Sequence, residues 1–467
     1  MSEPRNLTIG EAGGLIAERS LSVLELVEDT LAQIERTEPL VHAYALVLHE
    51  QAREDARRLD RELDSGLSRG PLHGIPIAVK DLCYMKDIPT EAGSRALVGF
   101  VPTYDAAVVE RLRAAGAVIV GKAVTHEFAY GVNEPPTRNA WDHERYPGGS
   151  SAGSAVAVAM RSAFGAIGTD TGGSIREPAS LNGVVGLKPT FGLVSRYGIV
   201  PLSPSLDHVG PITRSVQDCA ILLQALAGYD ARDSGSIAAP PVDYTAAPGE
   251  GIDGMTIGVE RGFSFGHGVW DGVREAVERI IGEMALWGAR IVEVEMPSLD
   301  LMAPVGVTIL LADASAYHRH TLRERGADLD PATRVMFELG ELVPATHYVT
   351  ALRARAVLRN QMRALFTTHR LDALISPTLP TTAVLMHQVL LADQNGEDPM
   401  TGALRHMIAA NLTGQPALTL PCGFSAGLPV GFQLLGRPFG EATLFRLAAA
   451  YESHHDWHIM APALARP

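Results

Sequence analysis

Apolar residues first recur at helical spacing in residues 22–37, SVLELVEDTLAQIERT, where Leu24, Val27, Leu31 and Ile34 fall three or four apart. That is one face of an amphipathic helix. Ser22 followed by Glu25 reads as a capping box and sets the helix start. A second, highly charged helix is expected over about 43–65. The texture then changes. GIPIAVKD (74–81) and AVIVGKA (117–123) are compact apolar runs, and each predicts a buried strand. SAVAVAMRSA (154–163) predicts a helix of small residues that packs closely on such strands.

Further along, 238–254 is rich in Pro, Gly and Ala and predicts a surface connection. MTIGVE (255–260), a helical stretch at 271–287 and ARIVEVEMP (289–297) form a β-α-β pattern, which predicts a right-handed crossover between parallel strands. Residues 300–370 read as mostly helical. LDALISPTLPTTA (371–383) and PALTLPCGF (416–424) read as strands running into Pro-rich loops, and LFRLAAAYE (444–452) as a closing helix. Strand patterns lie on both sides of 238–254, so one sheet with insertions is preferred over two units. The expected organisation is a single domain over 1–467: an N-terminal helical part (about 1–70), a core (about 71–235) and a helical region (about 300–410).

Composition narrows the class. The 467 residues are 46% hydrophobic and 20% charged, enough apolar material for a sizeable core. The net charge of −14 argues against direct nucleic-acid binding, because an acidic surface repels phosphates. Three dispersed cysteines, Cys83, Cys219 and Cys422, with no C-x-x-C, fit reduced thiols rather than disulfides or zinc. No apolar h-region opens the chain and no apolar run approaches a membrane span, so a cytoplasmic protein is expected.

Two Gly/Ser clusters carry the candidate chemistry. GSSAG (149–153) matches G-x-S-x-G, with Ser151 at its centre. A nucleophile elbow needs a strand before that serine, and NAWDHERYP is polar and turn-like. The second cluster is GTDTGGSIREPAS (168–180). Consecutive glycines before Ser174 let N–H groups converge on one hollow, as an oxyanion site requires. No histidine lies in this stretch. A neutral lysine serves as a base when burial lowers its pKa from about 10.4, and Lys80 closes the apolar run GIPIAVK. An ion pair with Asp81 is the plainer reading of that lysine. His126–Glu127 is not H-E-x-x-H, so no metal is implied. His73 and His208 are given structural roles, and His318 and His320 are expected at the surface.

GIPIAVKD, YPGGSSAGSA and GTDTGGSIREPA, in this order, resemble the amidase signature family. GKAVTHEFAYG, TRNAWD, SPTLPTTA, NLTGQPALTLPCGF and LPVGFQLLG extend the likeness over most of the chain. The resemblance implies an α/β fold, with a large mixed, mainly parallel β-sheet covered on both sides by helices. It also implies a Ser–cisSer–Lys triad: Ser174 as nucleophile, Ser150 as bridge behind a cis bond, and Lys80 as base. The N–H groups of Thr171, Gly172, Gly173 and Ser174 are then expected to hold the oxyanion. Ser151 is a supporting hydrogen-bond partner, Asp170 and Arg176 are expected to pair, and Tyr130 and Gly131 are expected to contact substrate. No cofactor is implied.

Two functions share that triad. One is a stand-alone hydrolase of amides, aryl esters or carbamates. The other is the glutaminase subunit of a tRNA-dependent amidotransferase. In the latter, an acidic residue about seven positions before the asparagine of NL-x-G binds the glutamine amino group. Here Asn411 is that asparagine, and the position holds Leu404. Arg359 is available for a carboxylate. The loop GVNEPPTRNAWD is short. Arginine at 359 does not discriminate, whereas Leu404 and the short loop favour the stand-alone hydrolase, with a small-molecule substrate, no nucleic-acid or membrane partner, and a homodimer left open.

Overall fold

A computed structural model describes residues 3–130, 135–246, 251–266, 268–391 and 398–466. Eleven strands among them share one sheet: β1 (Tyr44–Val47), β2 (Pro76–Lys80), β3 (Val118–Ala123), β4 (Gly165–Asp170), β5 (Val185–Lys188), β6 (His208–Thr213), β7 (Thr256–Val259), β8 (Arg290–Glu293), β9 (Ala373–Pro377), β10 (Ala417–Ser425) and β11 (Leu428–Gly436). Their order is β1-β3-β2-β4-β6-β5-β10-β11-β9-β7-β8, so strands from before and after 238–254 lie in the same sheet. Every residue of β2, β3, β4, β5, β6 and β11 is buried, as strands covered by helices must be.

The large mixed sheet flanked by helices matches the expected fold class, but the parallel share is smaller than expected. Among the described residues, four pairings are parallel (β2–β3, β2–β4, β7–β8 and β7–β9) and six are antiparallel. A hairpin supplies part of the difference. β10 and β11 are joined through Ala426 and Gly427, whose φ values are 51° and 79°. Two consecutive positive φ values fit the tight turn that follows the sheet twist.

The helix from Val23 to Val41 starts as expected. The Glu25 N–H donates to Ser22 Oγ at 3.1 Å, and the Ser22 N–H donates to Glu25 Oε2 at 2.9 Å. The expected helix at 43–65 begins later, over His49–Asp64, because Tyr44–Val47 pairs with β3 as an edge strand. The small-residue helix runs over Ala152–Ala159 and ends before Arg161, whose φ is 56°.

The helix Leu299–Arg325 belongs to a stretch, Leu299–Asp328, that is long and apolar enough to cross a membrane by length and composition. The expectation of no such run misses it because Asp300 and Asp313 interrupt the apolar sequence. It packs against the helices Pro331–Glu341, Ala345–Thr368 and Pro399–Thr413.

Replacing Ser22 with Ala removes the cap from Val23–Val41. The expected cost is about 1 kcal/mol, read as a lower urea midpoint with unchanged slope.

Candidate active site

Lys80 ends β2, and parallel pairing places Val79 opposite Ile167 of β4. Lys80 and Thr169 therefore emerge at the same ends of neighbouring strands. Lys80 Nζ lies 2.8 Å from Ser150 Oγ, 2.9 Å from Ser151 Oγ and 2.7 Å from Thr169 Oγ1. The side chain is wholly buried. The ion pair with Asp81 does not form, because Asp81 meets Lys122 Nζ at 2.7 Å instead. Desolvation brings Lys80 down to about 7, against the upward pull of Cys83, Asp170 and Asp207.

Ser150 and Ser151 precede the helix Ala152–Ala159, and the Gly149–Ser150 bond is cis. The His126 N–H donates to Ser150 O at 3.2 Å. Gly149 is required here: a Cβ on it would lie 2.2 Å from His126 Cε1. Ser151 ties both clusters together. Its N–H donates to Ser174 O at 3.2 Å, and its hydroxyl donates to Thr169 O at 3.1 Å. No strand among the described residues leads into Ser151, so the elbow reading fails as the sequence predicts.

Ser174 lies between β4 and the helix Arg176–Asn182. Gly173 has φ 138°, and a Cβ on it would lie 2.3 Å from Met407 Cε. Asp170 organises this turn. It accepts from the Gly173 N–H at 2.8 Å and the Ile175 N–H at 3.2 Å. The expected Asp170–Arg176 pair is present: Nε donates to Oδ2 at 3.0 Å and Nη2 to Oδ1 at 3.1 Å, both side chains fully buried. Arg176 also donates to Asn411 Oδ1, Gln433 Oε1 and Met407 O. Burial alone would raise the Asp170 pKa, but the Arg176 charge holds it well below the carboxylate range.

This geometry corrects one expectation. The Gly173 N–H is engaged by Asp170 inside the loop, which leaves three of the four expected oxyanion donors, those of Thr171, Gly172 and Ser174, outside this contact.

Ser174 opens on a cavity of about 200 Å³, lined also by Tyr130, Thr171, Gly172, Gly173 and Glu177. Leu202, Val307, Leu310, Met336, Met400, Leu404 and Met407 make most of the rest apolar, with the Thr401 hydroxyl among them. Tyr130 thus sits where substrate contact is expected. Gly131 lies outside the described residues, as do residues 132–134 of the loop that follows it. Arg359 is exposed on the helix Ala345–Thr368 and does not line this cavity.

His318 is 2% exposed, stacked on Phe337 and bonded to Pro201 O, against the expectation of a surface residue; His320 is exposed. Phe128, Phe337 and Leu202 form an apolar pocket there that spacing alone does not reveal.

Sequence reasoning misses Thr169, Asp207 and Glu177. Thr169 is legible as the polar residue of β4 next to Asp170. Glu177 is legible as the residue three beyond Ser174 at a helix start. Asp207, which accepts from Thr171 Oγ1 at 2.6 Å, carries no local signal.

The family model "Amidase" matches residues 25–445. This chain belongs to the amidase signature family. A Chloroflexus aurantiacus protein, named as the A subunit of glutamyl-tRNA(Gln) amidotransferase, is 40% identical over 494 residues, covering 99% of this chain and 100% of the relative. The solved structure of the glutamyl-tRNA(Gln) amidotransferase A subunit from Thermotoga maritima superimposes with TM-score 0.84 at 34% identity, covering 100% and 99% of the two chains. The native peptide amidase from Stenotrophomonas maltophilia superimposes with TM-score 0.84 at 33% identity, covering 96% and 97%.

These findings correct the functional expectation. Similarity to the amidotransferase subunits along the whole chain overturns the stand-alone hydrolase with a small molecule as its only partner. It also overturns the expectation of no nucleic-acid partner, which rested on net charge. Among the pocket residues only Leu404 supports the stand-alone reading, and a single wall position weighs less than similarity along both full chains.

Replacing Arg176 with Met leaves Asp170 buried and unpaired. The expected loss is about 3–5 kcal/mol, read by denaturant unfolding. Adding Asp170→Asn to the same chain should recover part of it.

Proposed function

We propose that this amidase is the A subunit of a glutamyl-tRNA(Gln) amidotransferase, releasing ammonia from glutamine through an acyl-enzyme on Ser174. The observation that carries the reading is the 40% identity, over nearly all of both chains, to proteins of that name. One member of an assembly leaves tRNA contacts to a partner surface, which reconciles the reading with a net charge of −14.

The proposed chemistry follows from hydrogen-bond capacity. A neutral lysine has two N–H donors and one lone pair. The Ser151 hydroxyl hydrogen is directed to Thr169 O, so its oxygen accepts from Lys80. Thr169 Oγ1 takes the second N–H. The lone pair is left for the Ser150 hydroxyl.

Ser150 passes its proton to Lys80 and takes one from Ser174. Ser174 Oγ then bonds to the amide carbon, and the carbonyl electron pair moves to oxygen. That oxyanion faces the N–H groups of Thr171, Gly172 and Ser174. The tetrahedral species collapses as the relay returns a proton to nitrogen, because an amine leaves poorly unless protonated. Ammonia departs, and water attacks the acyl-enzyme through the same relay to release glutamate.

Lys80 must be unprotonated, so activity rises with pH. With the lysine held at about 7, kcat/KM should climb about tenfold per unit well below that value and level off above it. Ser174→Ala and Lys80→Ala should each lower kcat by at least about 10³-fold. Loss of this pH step in wild type, or a Lys80→Ala variant that keeps it, would sink the base assignment.

The reading itself is tested by purifying the tagged chain from its native cells under mild conditions. The sample is then given glutamyl-tRNA(Gln) and glutamine labelled with ¹⁵N in its amide. Labelled glutaminyl-tRNA(Gln), lost in the Ser174→Ala complex, is the expected result. A chain that purifies alone and leaves the tRNA unchanged would overturn it.

A further inference from the structure

We infer that Glu177 is the specificity-determining residue that receives the cationic amino group of the amide substrate, inside the cavity that holds Ser174. This deepens the glutamine reading and rests on it for the identity of that amino group.

Position makes the first argument. The Glu177 N–H donates to Gly173 O at 2.8 Å, so the helical turn begins at Gly173 and Ser174 stands three residues before Glu177. Residues so spaced on a turn are neighbours, with Cβ atoms roughly 5–6 Å apart. Both side chains line the same cavity.

Chemistry makes the second. The remaining wall is mostly apolar, its other polar side chains are the hydroxyls of Tyr130, Thr171, Ser174 and Thr401, and Glu177 is the one residue of a charged type among the described lining residues. The wall position where the family resemblance places an acid is occupied by Leu404, packed near Gly172. Without Glu177, an ammonium in this cavity would have no counter-charge there, and burying an unpaired charge is strongly unfavourable.

Capacity makes the third. The Gly149 N–H bonds the Glu177 carboxyl, but a carboxylate has about four lone-pair sites, so acceptor capacity remains. Desolvation, with Asp170 adding to it, brings this carboxyl up to about 8. A cation placed against it would restore the anion.

A bracing role for Gly149 alone is the rival explanation, and Glu177→Gln separates the two. Glutamine keeps an oxygen acceptor for the Gly149 N–H and removes the charge. Two substrate pairs are compared: glutamine against 4-carbamoylbutanoate, and 4-aminobutanamide against butanamide. Each pair differs only by the amino group, and the readout is the ratio of kcat/KM within each protein, so a general loss of activity cancels.

In wild type the amino member should be favoured by about 10–100-fold, the range of a charge-assisted hydrogen bond. In Glu177→Gln the ratio should fall to within about threefold of one, through KM rather than kcat. A wild type without preference in either pair overturns the proposal before any variant is made. A preference that survives in Glu177→Gln overturns it as well. Failure of the glutamine reading looks different: glutamine is inert while 4-aminobutanamide is still preferred over butanamide.

Discussion

A lysine nitrogen buried at the end of β2, contacting hydroxyls and separated from its neighbouring carboxylate, is the constraint around which the site is built. Water would keep that nitrogen charged, and so would a salt bridge. The fold withholds both. Lys122 from β3 takes Asp81, which leaves Lys80 to Ser150, Ser151 and Thr169. Two buried lysines on adjacent strands thus meet opposite fates: one is paired, and the other is held at about 7 by desolvation. Swapping their partners would leave the same residues and remove the chemistry. Strand pairing fixes the difference, because β2 sits between β3 and β4 and Lys80 has Thr169 on one side.

The serine loops need a second fixed point, and the Asp170–Arg176 pair provides it. An ion pair this deep is costly to form and costlier to break on one side. Its remaining capacity is met by Asn411 and Gln433 and by two backbone N–H groups. These partners come from a late helix and from β11, so the turn carrying Ser174 is closed by residues more than two hundred positions away. Satisfying Asp170 with the Gly173 N–H also withdraws that donor from the set proposed to hold the oxyanion. The loop's rigidity and its donor count are therefore set by the same contact.

What can be read in the sequence follows the range of the interactions. The capping box at Ser22, the buried run ending at Lys80, and the Gly-Gly before Ser174 are local signals, and each places its element where the fold has it. The first edge strand is hidden inside a helical pattern, since Tyr44–Val47 becomes a strand only through its partner β3. The β10–β11 hairpin is hidden because Ala426 gives no hint of a left-handed residue. His318 reads as a surface residue because its neighbours Arg319 and His320 are exposed, whereas its own ring is covered by Phe337 from another helix. Asp207 meets Thr171 only because β4 and β6 pair with Asp170 opposite His208, and two residues 36 apart leave no spacing to detect.

The functional error has the same physical origin. A pocket is a closed surface assembled from several segments, and Leu404 is one of its tiles. Its apolar side chain reads, wrongly, as evidence about charge for the whole cavity. The cavity's carboxyl stands instead on a different segment, the turn that carries Ser174. An acid on either segment presents its charge to the same enclosed volume, because an apolar interior screens poorly over a few ångströms. Residue-by-residue transfer of a binding role fails when the site keeps a charge within a volume rather than a side chain at a position. In this chain, the loss at Leu404 and the presence of Glu177 have to be weighed together.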